Sequence, residues 1–324
     1  MADDAYTLAD FESRAESNLV KGVVRTFREQ APVMERLSFK KSTGLDMKML
    51  RTKALPTDAW IKLGEALPAM KGTTEPYTER VYKMGGKIDI AREYTIANSI
   101  VDERATQEEM AVTALAGGFN YAFVKGDPTA DPDSLVGLWW RLKNLLSSDQ
   151  TVLGGGYDIS PDTAQTDWYH GILDKLDELR DQCEGNDCDA FLMDITTKSR
   201  VEAAFRRAGV LSQTVDQVGR RFTQYGTDGP LLIPMGYKND QSTKIIGHVE
   251  ADDGNTLTGG DATTIYGIKF GEPYLAGFYL NDIRAEDKGE LEDGVNVRTV
   301  VDWTPGLYQI HPRAIARLVG IVAK

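Results

Sequence analysis

Long apolar runs are missing from this 324-residue chain. None approaches the roughly 20 residues a membrane-spanning helix needs, so no membrane partner is expected. The N-terminus, MADDAYTLADFES, has no apolar stretch of the kind a signal peptide carries. Cysteine is nearly absent: Cys183 and Cys188 lie in CEGNDC and have no second pair with which to build a zinc site. A local disulfide and two free thiols are the alternatives there, and a reducing compartment is the simpler inference. The three histidines, His170, His248 and His311, are isolated and form no metal-binding spacing.

Signatures of catalysis are missing as well. Gly154-Gly155-Gly156 lacks the Lys-Ser/Thr of a phosphate-binding loop, and Gly85-Gly86 precedes a strand rather than a helix. No serine sits in a G-x-S-x-G elbow. Gly259-Gly260-Asp261 reads as a turn. Asp252-Asp253-Gly254-Asn255 supplies only some of the ligands of a calcium loop and reads as a solvated turn. No catalytic, cofactor or metal site is expected, and the chain does not read as an enzyme.

What is present is charge, unevenly placed. The net charge of −12 argues against a general grip on nucleic acid. Residues 35–93 nevertheless hold 12 Lys and Arg against 8 Asp and Glu, whereas residues 158–194 hold 11 acidic residues and only Lys175 and Arg180. Opposite-sign regions on one chain suit identical subunits meeting head to tail, and equally suit two ordinary solvated surfaces.

The apolar pattern divides the chain into parts. Leu8, Phe11, Ala15, Leu19, Val23 and Phe27 form a helical stripe that Thr7 and Asp10 can cap and Pro32 limits. Residues 37–82 are polar and basic, with strand-like alternation but too few apolar residues for a core, as in an extended hairpin arm packing on something else. KMGGKIDIAREY reads as a half-buried strand. A helix of about 28 Å follows over residues 107–125. Thr106 and Glu109 would cap it, Ala111, Leu115, Phe119 and Ala122 line one face, a left-handed Gly126 ends it, and Pro128 forbids continuation. Gly117 and Gly118 inside it each cost about 1 kcal/mol relative to Ala, which implies close packing there.

A second helix, SLVGLWWRLKNLL, opens on a buried Trp pair, Trp139 and Trp140. An acidic section follows with a helix carrying Ile172, Leu176 and Leu179, the buried strand AFLMDI, and a helix capped by Ser199 and Glu202 and closed by Gly209. The remainder is β-rich: GPLLIPMGY, KIIGHVE, TTIYGIKFG and YLAGFYL, then alternation from Val295 to Trp303, a type II turn at Pro305-Gly306, and a return through LYQIHPRAIARLVGIV.

This order of parts resembles the major capsid proteins of tailed bacteriophages with the Hong Kong 97 phage fold. GGKIDIAREY, FNYAFVKGDPTADPDSLVGLWW and VRTVVDWTPGLYQIHPRAIARLVGIV carry the resemblance. It implies an α+β fold with an N-arm (1–35), an E-loop (36–82), a peripheral domain with a long spine helix (83–133 and 294–324) and an axial domain (134–293).

It further implies pentamers and hexamers closing an icosahedral head around double-stranded DNA that is held without specific recognition. The partners implied are copies of the chain itself, with portal, scaffolding and decoration proteins. The location implied is the virion capsid, after assembly in the host cytoplasm. No internal scaffolding-like segment precedes the N-arm, so scaffolding would be a separate protein or unused.

Candidate assembly-interface residues are Lys48, Arg51, Lys53, Trp60 and Lys62 on the arm, with Gly117 and Gly118 admitting a neighbouring strand to the spine helix. Ordinary hairpin packing is the competing reading of Trp60. Some relatives cross-link an arm Lys to a neighbour's Asn. Lys48, Lys53, Lys62 and Asn296 single out no such pair, and none is expected. An encapsulin-like compartment enclosing cargo enzymes is the alternative.

Overall fold

A computed structural model describes residues 7–14, 18–54, 56, 60–64, 66–67, 69–91, 93, 103–145, 150–161, 163, 166–215, 221–248, 262–292 and 294–323. The turns expected at Asp252–Asn255 and Gly259–Asp261 lie outside them.

Three helices open the chain: α1 (Leu8–Arg14), α2 (Asn18–Gln30) and α3 (Pro32–Arg36). Asp10 Oδ2 accepts from the Thr7 N–H and the Thr7 hydroxyl, both at 2.8 Å, so Asp10 reaches back as predicted while the Thr7 hydroxyl donates to it rather than accepting from the helix end. Pro32 limits α2 as predicted, the helix stopping at Gln30 and Ala31 being non-helical. The proline itself occupies the first turn of α3, where a missing N–H costs nothing. Arg28 ties the three together, reaching Glu12 at 2.5 Å and Glu35 at 3.0 Å.

Fifteen strands follow among the described residues, as four sheets. The largest has seven strands: β5 (Thr151–Asp158), β15 (Ile315–Val322), β10 (Ala262–Ile268), β6 (Ala190–Met193), β9 (Leu231–Pro234), β8 (Arg221–Tyr225) and β7 (Leu211–Val215), in that order. Helices α6 (Trp168–Gln182) and α7 (Ile195–Ala208) share a core with it. Leu176, Leu179, Phe191, Val201, Phe205, Ile265 and Leu318 are all fully buried there.

A three-stranded sheet joins β1 (Phe39–Lys41), β11 (Leu275–Tyr279) and β14 (Pro305–Gln309). Another joins β12 (Arg284–Glu290), β13 (Asn296–Trp303) and β4 (Met84–Ala91). The fourth is a two-stranded ribbon of β2 (Asp46–Ala54) and β3 (Thr73–Arg80), paired Asp46 to Arg80 at its root. The long helix α4 (Glu103–Lys125) and the short α5 (Leu138–Asn144) complete the set. Buried Trp303 gathers these parts, its ring 6.1 Å from Phe27 of α2, 5.4 Å from Phe39 of β1 and 5.8 Å from Phe119 of α4.

Several local expectations are corrected. Thr106 lies one turn inside α4 and does not cap it. The buried stripe is Val112, Ala116, Phe119 and Phe123, one position round from the predicted face. Gly126 is not left-handed. It is glycine because a side chain there would overlap the Leu135 and Ala122 carbonyls. The Gly137 N–H donates to the Gly126 carbonyl at 2.9 Å, so two glycines let the chain fold back against the helix end.

Trp139 and Trp140 are only half-buried, and Arg141 is turned fully inward beside Leu138 and Leu142. α7 is capped by Asp194, whose carboxylate accepts from the Thr196 N–H at 3.0 Å; Ser199 instead donates to the Ile195 carbonyl within the helix. Gly209 closes that helix with φ 72°, as predicted. Pro305-Gly306 is no turn. Both residues belong to β14, where Gly306 leaves room for the Phe278 ring, and the chain changes sheet at Thr304. Among the described residues of KIIGHVE, which end at His248, only Lys244 makes a β-bridge, to Tyr237, and Ile245 and Ile246 are buried without strand pairing.

Candidate assembly surface

The ribbon's register sorts its side chains onto two faces. Met47, Met49, Arg51, Glu75, Tyr77 and Glu79 share one face, while Lys48, Leu50, Pro76 and Thr78 share the other. At the root the first face is anchored. Met47 and Met49 pack against the buried cluster of Val81, Ala276, Phe278 and Tyr308. Glu79, only 4% exposed, pairs with Arg141, which is 0% exposed. Arg141 also donates to the carbonyls of Val136 at 3.0 Å and Leu307 at 3.1 Å. Tyr77 donates its hydroxyl proton to Glu79 at 2.6 Å. Burial, with Glu79 beside it, pushes the Tyr77 phenol up to about 12, so it stays a donor at any physiological pH. A buried ion pair held by further hydrogen bonds is the form in which such a pair is tolerated.

Away from the root, most described side chains of the arm are exposed. Leu45, Leu50, Trp60, Leu63, Leu67 and Met70 are all more than half exposed, and Trp60 is 99% exposed. Thirteen large apolar side chains are exposed among the described residues, and seven of them, counting Ile61, fall between residues 45 and 70. A two-stranded ribbon is marginal in water without a surface to pack on, and a concentrated apolar patch of this kind marks an interaction site.

The predicted candidates fall into two groups. Lys48 is exposed on the outer face, Arg51 half-buried on the inner one, and Trp60 and Lys62 exposed beyond the paired strands. Lys53 sits at a bulge between Thr52 and Ala54, and its side chain lies outside the described residues. Gly117 and Gly118 are apart from these, on α4. A loop of the same chain closes on Gly117, where an added Cβ would run into Asn239 Oδ1; nothing lies within 4 Å of the corresponding position at Gly118. Lys238 of that loop places its ammonium 3.9 Å from the Tyr121 ring centroid, so the loop straps the long helix to the seven-stranded body.

Two features escaped the sequence reading. One is the Glu79–Arg141 root, whose sole signal was a charged residue within the apolar run LWWRLKNLL. The other is the cluster around Asp194, 2% exposed, whose Oδ2 lies 2.7 Å from Lys244 Nζ and 2.9 Å from His248 Nε2. Of the alternatives for CEGNDC, the structure adopts the disulfide, with both cysteines buried between α6 and β6.

Arm, long helix, seven-stranded body and the sheet linking them make up the Hong Kong 97-type fold, an α+β architecture shared by shell-forming proteins. The SrpI encapsulin complex from Synechococcus elongatus PCC 7942 superposes with a TM-score of 0.60 over 93% of this chain and 90% of its own, at 15% identity. The capsid of a native GTA particle gives 0.59 over 90% and 91%, at 13% identity. The structure from Microbacterium phage Oxtober96 gives 0.55 over 89% and 90%, at 11% identity. No protein-family model matches the sequence, and no curated protein does. The likeness is one of fold.

Proposed function

We propose that this chain is the major capsid protein of a tailed phage, self-assembling into pentamers and hexamers of an icosahedral head around double-stranded DNA. The observation that carries the reading is the arm, which exposes Trp60, Leu63 and Leu67 almost completely while its root is locked into the body through Glu79 and Arg141. Such an arm is stable only when laid across another surface, and copies of the chain provide one. The roles follow the parts: residues 1–35 as N-arm, 36–82 as E-loop, 83–133 with 294–324 as peripheral domain, and 134–293 as axial domain. Lys48, Arg51, Lys53, Trp60 and Lys62 would meet a neighbour, and the open helix surface at Gly118 would receive one. The role is structural, not catalytic. A net charge of −12 would keep packaged DNA from adhering to the wall, and portal, scaffolding and decoration proteins are the further partners this reading implies.

A second reading, an encapsulin-like compartment around cargo enzymes, is favoured by the encapsulin superposition at TM-score 0.60. One experiment addresses both. Purified protein should form closed shells by negative-stain microscopy, and the triple variant Trp60→Ser/Leu63→Ser/Leu67→Ser should remain as folded, unassembled subunits at concentrations where the wild type is fully assembled. A triple variant that assembles normally would remove the arm from the account. Shells from the native source holding nucleic acid support the head; shells holding an enzyme support the compartment.

A further inference from the structure

Among the arm candidates whose side chains are described, Arg51 is the one turned inward yet left unfinished. Its cross-strand neighbour by register is Glu75, but the two form no ion pair. The guanidinium lies instead over the Tyr77 ring, with Cζ 4.8 Å from the centroid. Its Nε and Nη2 are shielded from solvent and have no hydrogen-bond acceptor among the described residues. Those two N–H groups form one edge of the guanidinium fork, the edge that a carboxylate takes with both oxygens. The other carboxylate on the same face, Glu79, is already committed to Arg141 and the Tyr77 hydroxyl. The ribbon thus meets two arginines in opposite conditions, Arg51 of its own strand and Arg141 of α5. Arg141 has acceptors at Nε, Nη1 and Nη2, whereas Arg51 has a whole donor edge idle. Shielded donors left without acceptors are rare in finished structures.

We infer that Arg51 is reserved for a carboxylate of a neighbouring copy. On association the guanidinium leaves the Tyr77 ring and takes that carboxylate in a two-point ion pair across the interface. The inference rests on the shell reading and adds to it the chemistry the arm recognises: a planar anion, from a chain with 49 Asp and Glu against 37 Lys and Arg. Until then the ring of Tyr77 holds the cation in place.

The test compares wild type, Arg51→Met and Arg51→Lys in DNA-free preparations. It reads the lowest protein concentration at which shells appear by light scattering and, separately, the melting temperature of dissociated subunits. Arg51→Met should raise the assembly concentration at least tenfold while leaving the subunit melting temperature unchanged or higher, because Met keeps the ring contact and removes the idle donors. Arg51→Lys should also assemble poorly, since an ammonium keeps the charge but lacks the fork. Three results would overturn the inference: Arg51→Met assembling at the wild-type concentration, Arg51→Met lowering subunit stability in step with assembly, or an assembly defect seen only when DNA is present, which would make phosphate the ligand. Shells with an indifferent Arg51 sink this inference alone. A wild type that forms no shells sinks the shell reading too.

Discussion

Strands β6 and β3 differ in what covers them. All four side chains of β6 are buried, between neighbouring strands and under the helices of the seven-stranded body. β3 is twice as long and buries one side chain, Glu79. The sequences show why. AFLM has no polar atom to satisfy and can be enclosed on both faces, as a central strand requires. TTEPYTER carries charges and a proline, which confine it to an edge or a ribbon. The body therefore closes on itself, and the arm cannot. The contrast places the closed core in one region and the exposed apolar surface in the other, with the buried Glu79–Arg141 pair among the contacts that join them.

Cutting that join should produce the largest change in subunit stability. Arg141→Met leaves Glu79 buried and uncompensated, and Glu79→Leu does the same to Arg141. Each should cost about 3–5 kcal/mol. The double variant Glu79→Leu/Arg141→Met should recover much of the loss, since similar-sized apolar groups replace both charges. Urea melts on the unassembled arm-tip triple variant would measure this without interference from shells. Additive losses in the double variant would mean that the two side chains act independently, and the arm would then lack the fixed root assigned to it.

Asp194 gives a smaller effect and one confined to the body. Burial alone would raise its pKa, but hydrogen bonds from His248, Lys244 and the Thr196 N–H outweigh it and hold the carboxyl well below the usual carboxylate range. A depressed folded-state pKa stabilises the fold above the unfolded value of about 3.9, and that contribution disappears as pH falls below it. Asp194→Asn should therefore cost about 2 kcal/mol at pH 6, the size of a lost cap together with a charge-assisted bond, and progressively less below pH 4. Thermal melts across pH 3–7 check it. A constant deficit across that range would show that the charge of Asp194 contributes nothing.

The same division explains what the sequence disclosed. Elements with one strong period were legible: the Val297–Trp303 alternation in β13, the Ile172, Leu176 and Leu179 face of α6, the left-handed stop at Gly209. The arm was legible through a shortage, too few apolar residues to own a core. What failed was local chemistry decided by distant partners. Gly126 follows the end of the helix as read, but it is not left-handed: its true constraint is the Leu135 carbonyl, nine residues on. Trp139 and Trp140 looked buried because hydrophobicity was weighed without the carbonyls of Val136 and Leu307, which draw Arg141 inward instead. Thr106 and Ser199 satisfied cap spacing inside helices whose ends are set elsewhere. Spacing identifies a possible cap, and tertiary contacts choose among the possibilities.

The smallest effects should separate the paired glycines of α4, one closed over by the chain's own Asn239 and one open. Alanine is favoured over glycine inside a helix by about 1 kcal/mol. With nothing within 4 Å of the added methyl, Gly118→Ala should raise subunit stability by about that amount. At Gly117 the same gain is set against the Asn239 side chain, so Gly117→Ala alone should be close to neutral and should become stabilising once Asn239→Ala removes the obstacle. Assembly reads the pair differently. The space over Gly117 is filled from within the chain, so its alanine should leave shell formation unchanged. If a neighbour's backbone lies against Gly118, Gly118→Ala should make a more stable subunit that assembles less readily, a combination that a defect in folding does not produce. Equal assembly by both variants would remove Gly118 from the interface and leave the arm as its whole extent on this face of the helix.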